Sequence, residues 1–261
     1  MVEFTQVSGV NLAYEVAGVG EPPIVFVHGW SCDRSYLAPQ FEFFAPGHAV
    51  LALDLRGHGE SEKPDPGRYD VDVLADDVLA IAAAAGLRRP VLVGHSLGAL
   101  VGLSAAARPG ALCALVMVDP APITNERVKA YFRESADTVR ADQDGSWRTE
   151  FANGFFLPTD RVRRDEIIAE FPKAAPGIAA AIVQAMGEFD GAGALSRATV
   201  PVLSIGSAHP PNSVADLRRA CPAITIGQTV GSGHFNQLEV PDQVNAMIEK
   251  FLALNNLHRP G

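Results

Sequence analysis

The chain has 261 residues, with 21 lysines and arginines against 30 aspartates and glutamates, a formal charge of −9. That acidic balance argues against nucleic-acid or anionic-membrane binding, and no stretch approaches the roughly 18 uninterrupted apolar residues of a membrane helix. At 48% hydrophobic and 20% charged side chains, the composition is that of a globular chain able to bury one large α/β core.

The first ten residues carry Glu3 and Gln6 without a basic stretch, unlike a signal peptide. Short apolar, β-branched runs then recur at residues 12–16, 24–28, 49–54, 91–95, 114–119, 202–206 and 223–230. Several are apolar on both faces, as a buried parallel strand requires. Residues 71–86 place Val71, Leu74, Val78 and Ile81 on one helical face and stop at Gly86. Residues 97–107 form a second helical pattern. Near the end, Pro241 suits a first helical turn, and Val244, Met247, Ile248, Phe251 and Leu252 make one stripe. This alternation predicts a mostly parallel sheet with helices on both faces.

About eighty residues separate the run ending at Asp119 from the strand at Val202, too many for a connection and too helical for a loop. Pro122, Pro158, Pro172 and Pro176 divide them into pieces of one helix each. Residues 122–197 are therefore expected to form a helical cap inserted into a core of residues 1–121 and 198–261. Its Trp147, Phe151, Phe155 and Phe156 either pack the cap onto the sheet or line an apolar substrate pocket; apolar cap helices serve a homo-oligomer equally well. The three cysteines, Cys32, Cys113 and Cys221, lie far apart without metal-ligand spacing and read as small core residues of a reducing cytoplasm.

Pro90-Val-Leu-Val-Gly94-His95-Ser96-Leu97-Gly98 carries the most chemistry. A G-x-S-x-G match alone is weak, but here it joins a buried strand to a helix, so Ser96 sits on a sharp turn. Gly94 and Gly98 let the flanking backbone approach, and the Leu97 amide at the helix start points where an oxyanion would form. Three further motifs stand beside it: His28-Gly29-Trp30 after a strand; Asp54-Leu-Arg56-Gly57-His58-Gly59-Glu-Ser61 after the next; and Gly231-Ser-Gly233-His234-Phe-Asn-Gln-Leu-Glu239-Val-Pro241 before the last helix. With these motifs the chain resembles the α/β-hydrolase fold family over nearly its whole length, and the His-Gly-Trp element resembles small bacterial esterases and perhydrolases.

The resemblance implies an eight-stranded, mostly parallel sheet with the cap inserted after strand 6. It makes Ser96 the nucleophile, His234 the general base, and the amides of Trp30 and Leu97 the oxyanion donors. His28 and His58 then belong to structural turns and His95 is buried beside the nucleophile. His209 follows a strand end and is open to either reading, while His48 and His258 read as surface residues. The acid departs from the common pattern. Most of the family has an Asp in a Gly-x-x-Asp-like turn after the strand that follows the cap, where this chain reads Gly206-Ser-Ala-His209. Asp216 lies in a helix pattern facing solvent, so Asp119, one strand earlier, is the candidate, as in a minority of the family.

Together these imply a serine hydrolase cleaving a small, largely apolar carboxylic ester or lactone, without metal or cofactor. Amide hydrolysis, cofactor-free ring-opening dioxygenation and a hydrolase-like receptor are alternatives on the same fold.

Overall fold

Runs that are apolar on both faces form the centre of a sheet. The computed structural model describes residues 1–158 and 164–257. Among them the strands are β1 (Val2–Val7), β2 (Val10–Ala17), β3 (Ile24–Val27), β4 (Val50–Leu53), β5 (Val91–His95), β6 (Ala114–Val118), β7 (Val202–Gly206) and β8 (Thr225–Gln228). They lie in one eight-stranded sheet in the order β1-β2-β4-β3-β5-β6-β7-β8. β1 and β2 pair antiparallel, as do β2 and β4, and the remaining pairs are parallel. This is the fold class expected from the sequence. The strand pattern missed β1, whose residues are all exposed or half-buried; only its pairing, from Val2 opposite Glu15 to Val7 opposite Val10, makes it a strand.

Before the insertion come α1 (Ala38–Phe44), α2 (Val71–Ala84) and α3 (Leu97–Ala106). Between β6 and β7 lie α4 (Glu126–Ala141), α5 (Ser146–Asn153), α6 (Arg164–Glu170), α7 (Pro176–Glu188) and α8 (Gly191–Arg197). The chain then adds α9 (Val214–Ala220), α10 (Asn236–Glu239) and α11 (Pro241–Leu254). Strand side chains alternate between two cores. Val25, Val27, Leu92, Leu115 and Met117 face α2 and α3, whereas Ile24, Phe26, Val91, Val93 and Val116 face α1 and α11. Each such side chain, fully buried, contributes about 1.5–3 kcal/mol, so the central strands are fixed before any loop is considered. Among the described residues no helix is long and apolar enough to cross a membrane.

The insertion differs from the expectation of one helix between Pro122 and Pro158, since α4 and α5 both fall there. The break is chemical. Gly145 takes the left-handed conformation, with φ 76°, and the Asp142 carboxylate accepts the Trp147 and Arg148 amides that open α5. The buried Arg148 guanidinium returns to Asp142 at 2.8 Å and to the Ala174 carbonyl at 2.5 Å, tying α5 to the segment before α7. α4 packs along α7, whereas α8 already packs on α3 and α9 of the sheet layer. Among the bonds that fasten the insertion to the core, Trp30 Nε1 donates to the Ala179 carbonyl at 3.0 Å and Tyr36 Oη to that of Ile167 at 3.2 Å.

One histidine was misplaced by the sequence reading. His48 is buried, its Nδ1–H donating to the Pro22 carbonyl at 2.8 Å. Gly18 and Gly20, both at positive φ, let their loop close against the backbone of residues 45–48, and any side chain there would overlap it. His258 lies outside the described residues.

Candidate active site

The turn between β5 and α3 has little freedom. A Cβ on Gly94 would overlap the Gly98 carbonyl, and one on Gly98 the Val27 carbonyl, so the helix start sits directly on the strand ends. Between them Ser96 is held at φ 53°, ψ −112°, a conformation an L residue rarely adopts. Leu97 is the first residue of α3, where amides have no intrahelical acceptor. The loop after β3 is packed over this turn. A Cβ at Gly29 would lie 2.9 Å from His95 Nδ1 and 3.2 Å from Ser96 Cβ.

Two buried imidazoles bracket the Trp30 amide in that loop. His28 Nδ1–H donates to the Gly29 carbonyl at 2.8 Å, and His28 Nε2 accepts the Leu55 amide at 3.0 Å. Because a trans peptide points C=O and N–H in opposite directions, holding Gly29 O also aims Trp30 N–H. His58 Nε2 accepts the Ser31 amide at 3.2 Å while its Nδ1–H donates to Arg56 O at 3.1 Å. Burial lowers the pKa of His28 to about 4, and burial with His28 alongside lowers that of His58 to about 3. Each ring therefore stays neutral, with one donor and one acceptor, as these bonds require. The turns assigned to these two histidines are indeed structural.

Asp119 directly follows β6 at φ 36° and is buried. Its Oδ2 accepts from His234 Nδ1 at 2.6 Å and its Oδ1 from the Ser207 amide at 2.8 Å. Asp216, by contrast, sits on α9 bonded to Ser213 and Arg219. His234 lies in the loop between β8 and α10, its amide donating to the Phe155 carbonyl at 2.8 Å. His95 is buried, its Nε2–H donating to the His234 carbonyl at 2.9 Å. Burial, and then the neighbouring His234, hold its pKa well below the ordinary histidine range.

Ser96, Asp119 and His234 line one cavity of about 250 Å³, joined by Ser207 and His209. Its opposite wall comes from the insertion: Val128, Tyr131 and Phe132 of α4, and Phe151, Phe155 and Phe156. Among the described lining residues, the sole charged side chain is Asp119. Trp147 does not line the cavity. Its ring stacks on Phe151, centroids 5.2 Å apart and 7° between planes, and backs the wall from behind. The sequence reading named none of the α4 lining residues, because Tyr131 and Phe132 adjoin in a helix otherwise rich in charge. It also left His209 undecided; the ring is exposed and on the cavity.

A sharp turn presenting a buried serine, an imidazole braced by a carboxylate and an insertion closing over both define an α/β-hydrolase architecture. A model of the alpha/beta hydrolase family matches residues 24–247, and the chain belongs to that family. It is similar to a non-heme chloroperoxidase of Streptomyces lividans, 38% identical over 122 residues that make up 45% of this chain and 44% of that one. It is also similar to ethanol acetyltransferase 1 of Cyberlindnera fabianii, 31% identical over 57% of this chain and 47% of that one. The chain thus spans about half the length of the curated relatives it matches or less. A thermophilic esterase from Thermogutta terrifontis superposes with a TM-score of 0.83 and 25% identity, over 98% of this chain and 99% of that one.

Proposed function

We propose that the protein is a serine hydrolase that cleaves a small, largely apolar carboxylic ester or lactone through an acyl-enzyme on Ser96. The observation that carries this reading is the 2.6 Å bond from His234 Nδ1 to Asp119, whose other oxygen is fixed by the Ser207 amide, at the cavity into which Ser96 opens. With Nδ1 protonated and bound to Asp119, the imidazole offers Nε2 as the base. His234 takes the Ser96 Oγ proton as Oγ attacks the carbonyl carbon, and returns it to the leaving alkoxide when the ester C–O bond breaks. Water then attacks the acyl-enzyme by the same route, and the serine leaves with its proton restored. The amides of Trp30 and Leu97 stabilise the tetrahedral oxyanion, each such donor supplying on the order of 10²–10³-fold in rate. The aromatic wall, with no charge beyond paired Asp119, supports an uncharged acyl group.

The test is steady-state hydrolysis of chromogenic acyl esters of two to twelve carbons, wild type beside Ser96→Ala. Serine-dependent turnover with a chain-length optimum is expected; turnover that survives Ser96→Ala would sink the reading. The likeness to an ethanol acetyltransferase favours a second acceptor at the same acyl-enzyme, an alcohol in place of water. Ethanol added to the assay would then divert part of the acyl group to its ethyl ester.

A further inference from the structure

We infer that Glu239 is a positioning residue for His234, an inference that rests on the reading of His234 as the base. All three backbone amides of Gly233-His234-Phe235, and the His234 carbonyl, are held by hydrogen bonds. Glu239 Oε2 accepts the Gly233 amide at 2.9 Å and Oε1 the Phe235 amide at 3.1 Å, so one carboxylate holds the amides of the residues before and after the base. The His234 amide itself goes to Phe155 O, and its carbonyl receives His95 Nε2–H. A Cβ at residue 233 would overlap the Phe155 carbonyl, which is why glycine precedes the histidine.

These clasps differ in kind. Those from Phe155 and His95 act on one peptide group each and come from distant elements. Glu239 follows the loop by four residues and sets its pitch: with both amides on one carboxylate, the Cα–Cβ bond of His234 is directed at Asp119 and the cavity. Charge-assisted bonds of this type are about twice as strong as neutral ones. Without them, two amides must find other acceptors and the loop shifts. A displacement of about 1 Å at a reacting group costs on the order of 10²-fold in rate.

The experiment compares Glu239→Ala, Glu239→Gln and His234→Ala on the ester that the wild type turns over best. Melting temperatures and the proton NMR signal of His234 Nδ1–H are recorded alongside. The expectation for Glu239→Ala is a kcat lowered by about 10²-fold, with KM within about threefold and the Nδ1–H signal shifted or lost through exchange. Glu239→Gln keeps an acceptor for one amide and should recover activity to within about tenfold of wild type. If Glu239→Ala does not fold, Glu239→Gln carries the test, with a smaller loss in kcat and the same displaced signal.

A kcat within about threefold of wild type and an unmoved Nδ1–H signal, even with a lower melting temperature, would overturn the inference and leave Glu239 a helix-capping carboxylate. His234→Ala separates the two failures. Full activity there would remove the base itself, whereas an inactive His234→Ala beside an unaffected Glu239 variant would remove only the clasp.

Discussion

Replacing Asp119 with asparagine is the most demanding test of the acid. Both carboxylate oxygens are committed, Oδ1 to the Ser207 amide at 2.8 Å and Oδ2 to His234 Nδ1–H at 2.6 Å, on a side chain only 2% exposed. Asparagine brings one acceptor oxygen to two donors. If that oxygen stays on Ser207, the new NH₂ faces His234 Nδ1. The imidazole must then present its lone pair there and carry its proton on Nε2, the atom that has to accept from Ser96. If the amide flips instead, a buried Ser207 N–H faces another donor at a cost of roughly 1–3 kcal/mol, and the developing imidazolium still lacks its counter-charge. The first arrangement sets no donor against another donor, so it wins and fixes the wrong tautomer. The same substitution in a serine protease costs about 10⁴-fold in kcat, or about 5.4 kcal/mol of transition-state stabilisation. Steady-state hydrolysis of a nitrophenyl ester measures it, with Asp216→Asn as control. Asp216 is bonded to Ser213, which caps α9, and to Arg219 on the same helix, so its variant should stay within about twofold of wild type. Activity of Asp119→Asn within tenfold of wild type, or an equal loss in Asp216→Asn, would refute the assignment.

Ser96→Ala should abolish ester turnover and move the melting temperature by no more than about 3 °C, because alanine inherits the same strained φ of 53°; calorimetry beside the assay checks both. Stability should fall on acidification between pH 6.5 and about 3 to 4. Folded His28 and His58 stay neutral down to about 4 and 3, while the unfolded chain takes up those protons near 6.5, so their contribution is complete above that value and lost below it. The loss is on the order of a few kcal/mol. Urea midpoints at pH 7.5 and 5 for wild type and His58→Asn isolate it. Asp54 and Asp77, whose pKa values burial raises, contribute with the opposite sign but equally in both chains; identical pH losses would refute the argument. Phe151→Ala should move the best acyl length upward, and Trp147→Ala, one ring further back, should do so less; superimposable chain-length profiles for all three proteins would count against this wall as the acyl site.

The parts legible in the sequence are those whose physics is local. A buried parallel strand announces itself by apolar residues on both faces, and β3 to β7 were readable for that reason. The turn at Ser96 was readable because its glycine spacing is local, Gly94 being demanded by the Gly98 backbone four residues on, although the contact that demands Gly98 itself, with the Val27 carbonyl, is not. β1 was not, since its two faces are wet and only register against β2 defines it. The break at Gly145 needed the Asp142 carboxylate, which reaches forward to two amides and carries no periodicity of its own.

Asp119 shows the limit most clearly. Reading it required noticing that the turn after β7 holds no carboxylate, which is information by omission. The positive evidence, a Ser207 amide on one oxygen and His234 on the other, joins positions 88 and 115 residues away. The same separation hides the partners of His234: Phe155 from the insertion and His95 from the end of β5 meet it only in the folded chain. The insertion therefore contributes a backbone clasp to the His234 loop as well as a wall to the cavity. Displacing it would loosen the His234 loop and uncover the pocket in the same motion.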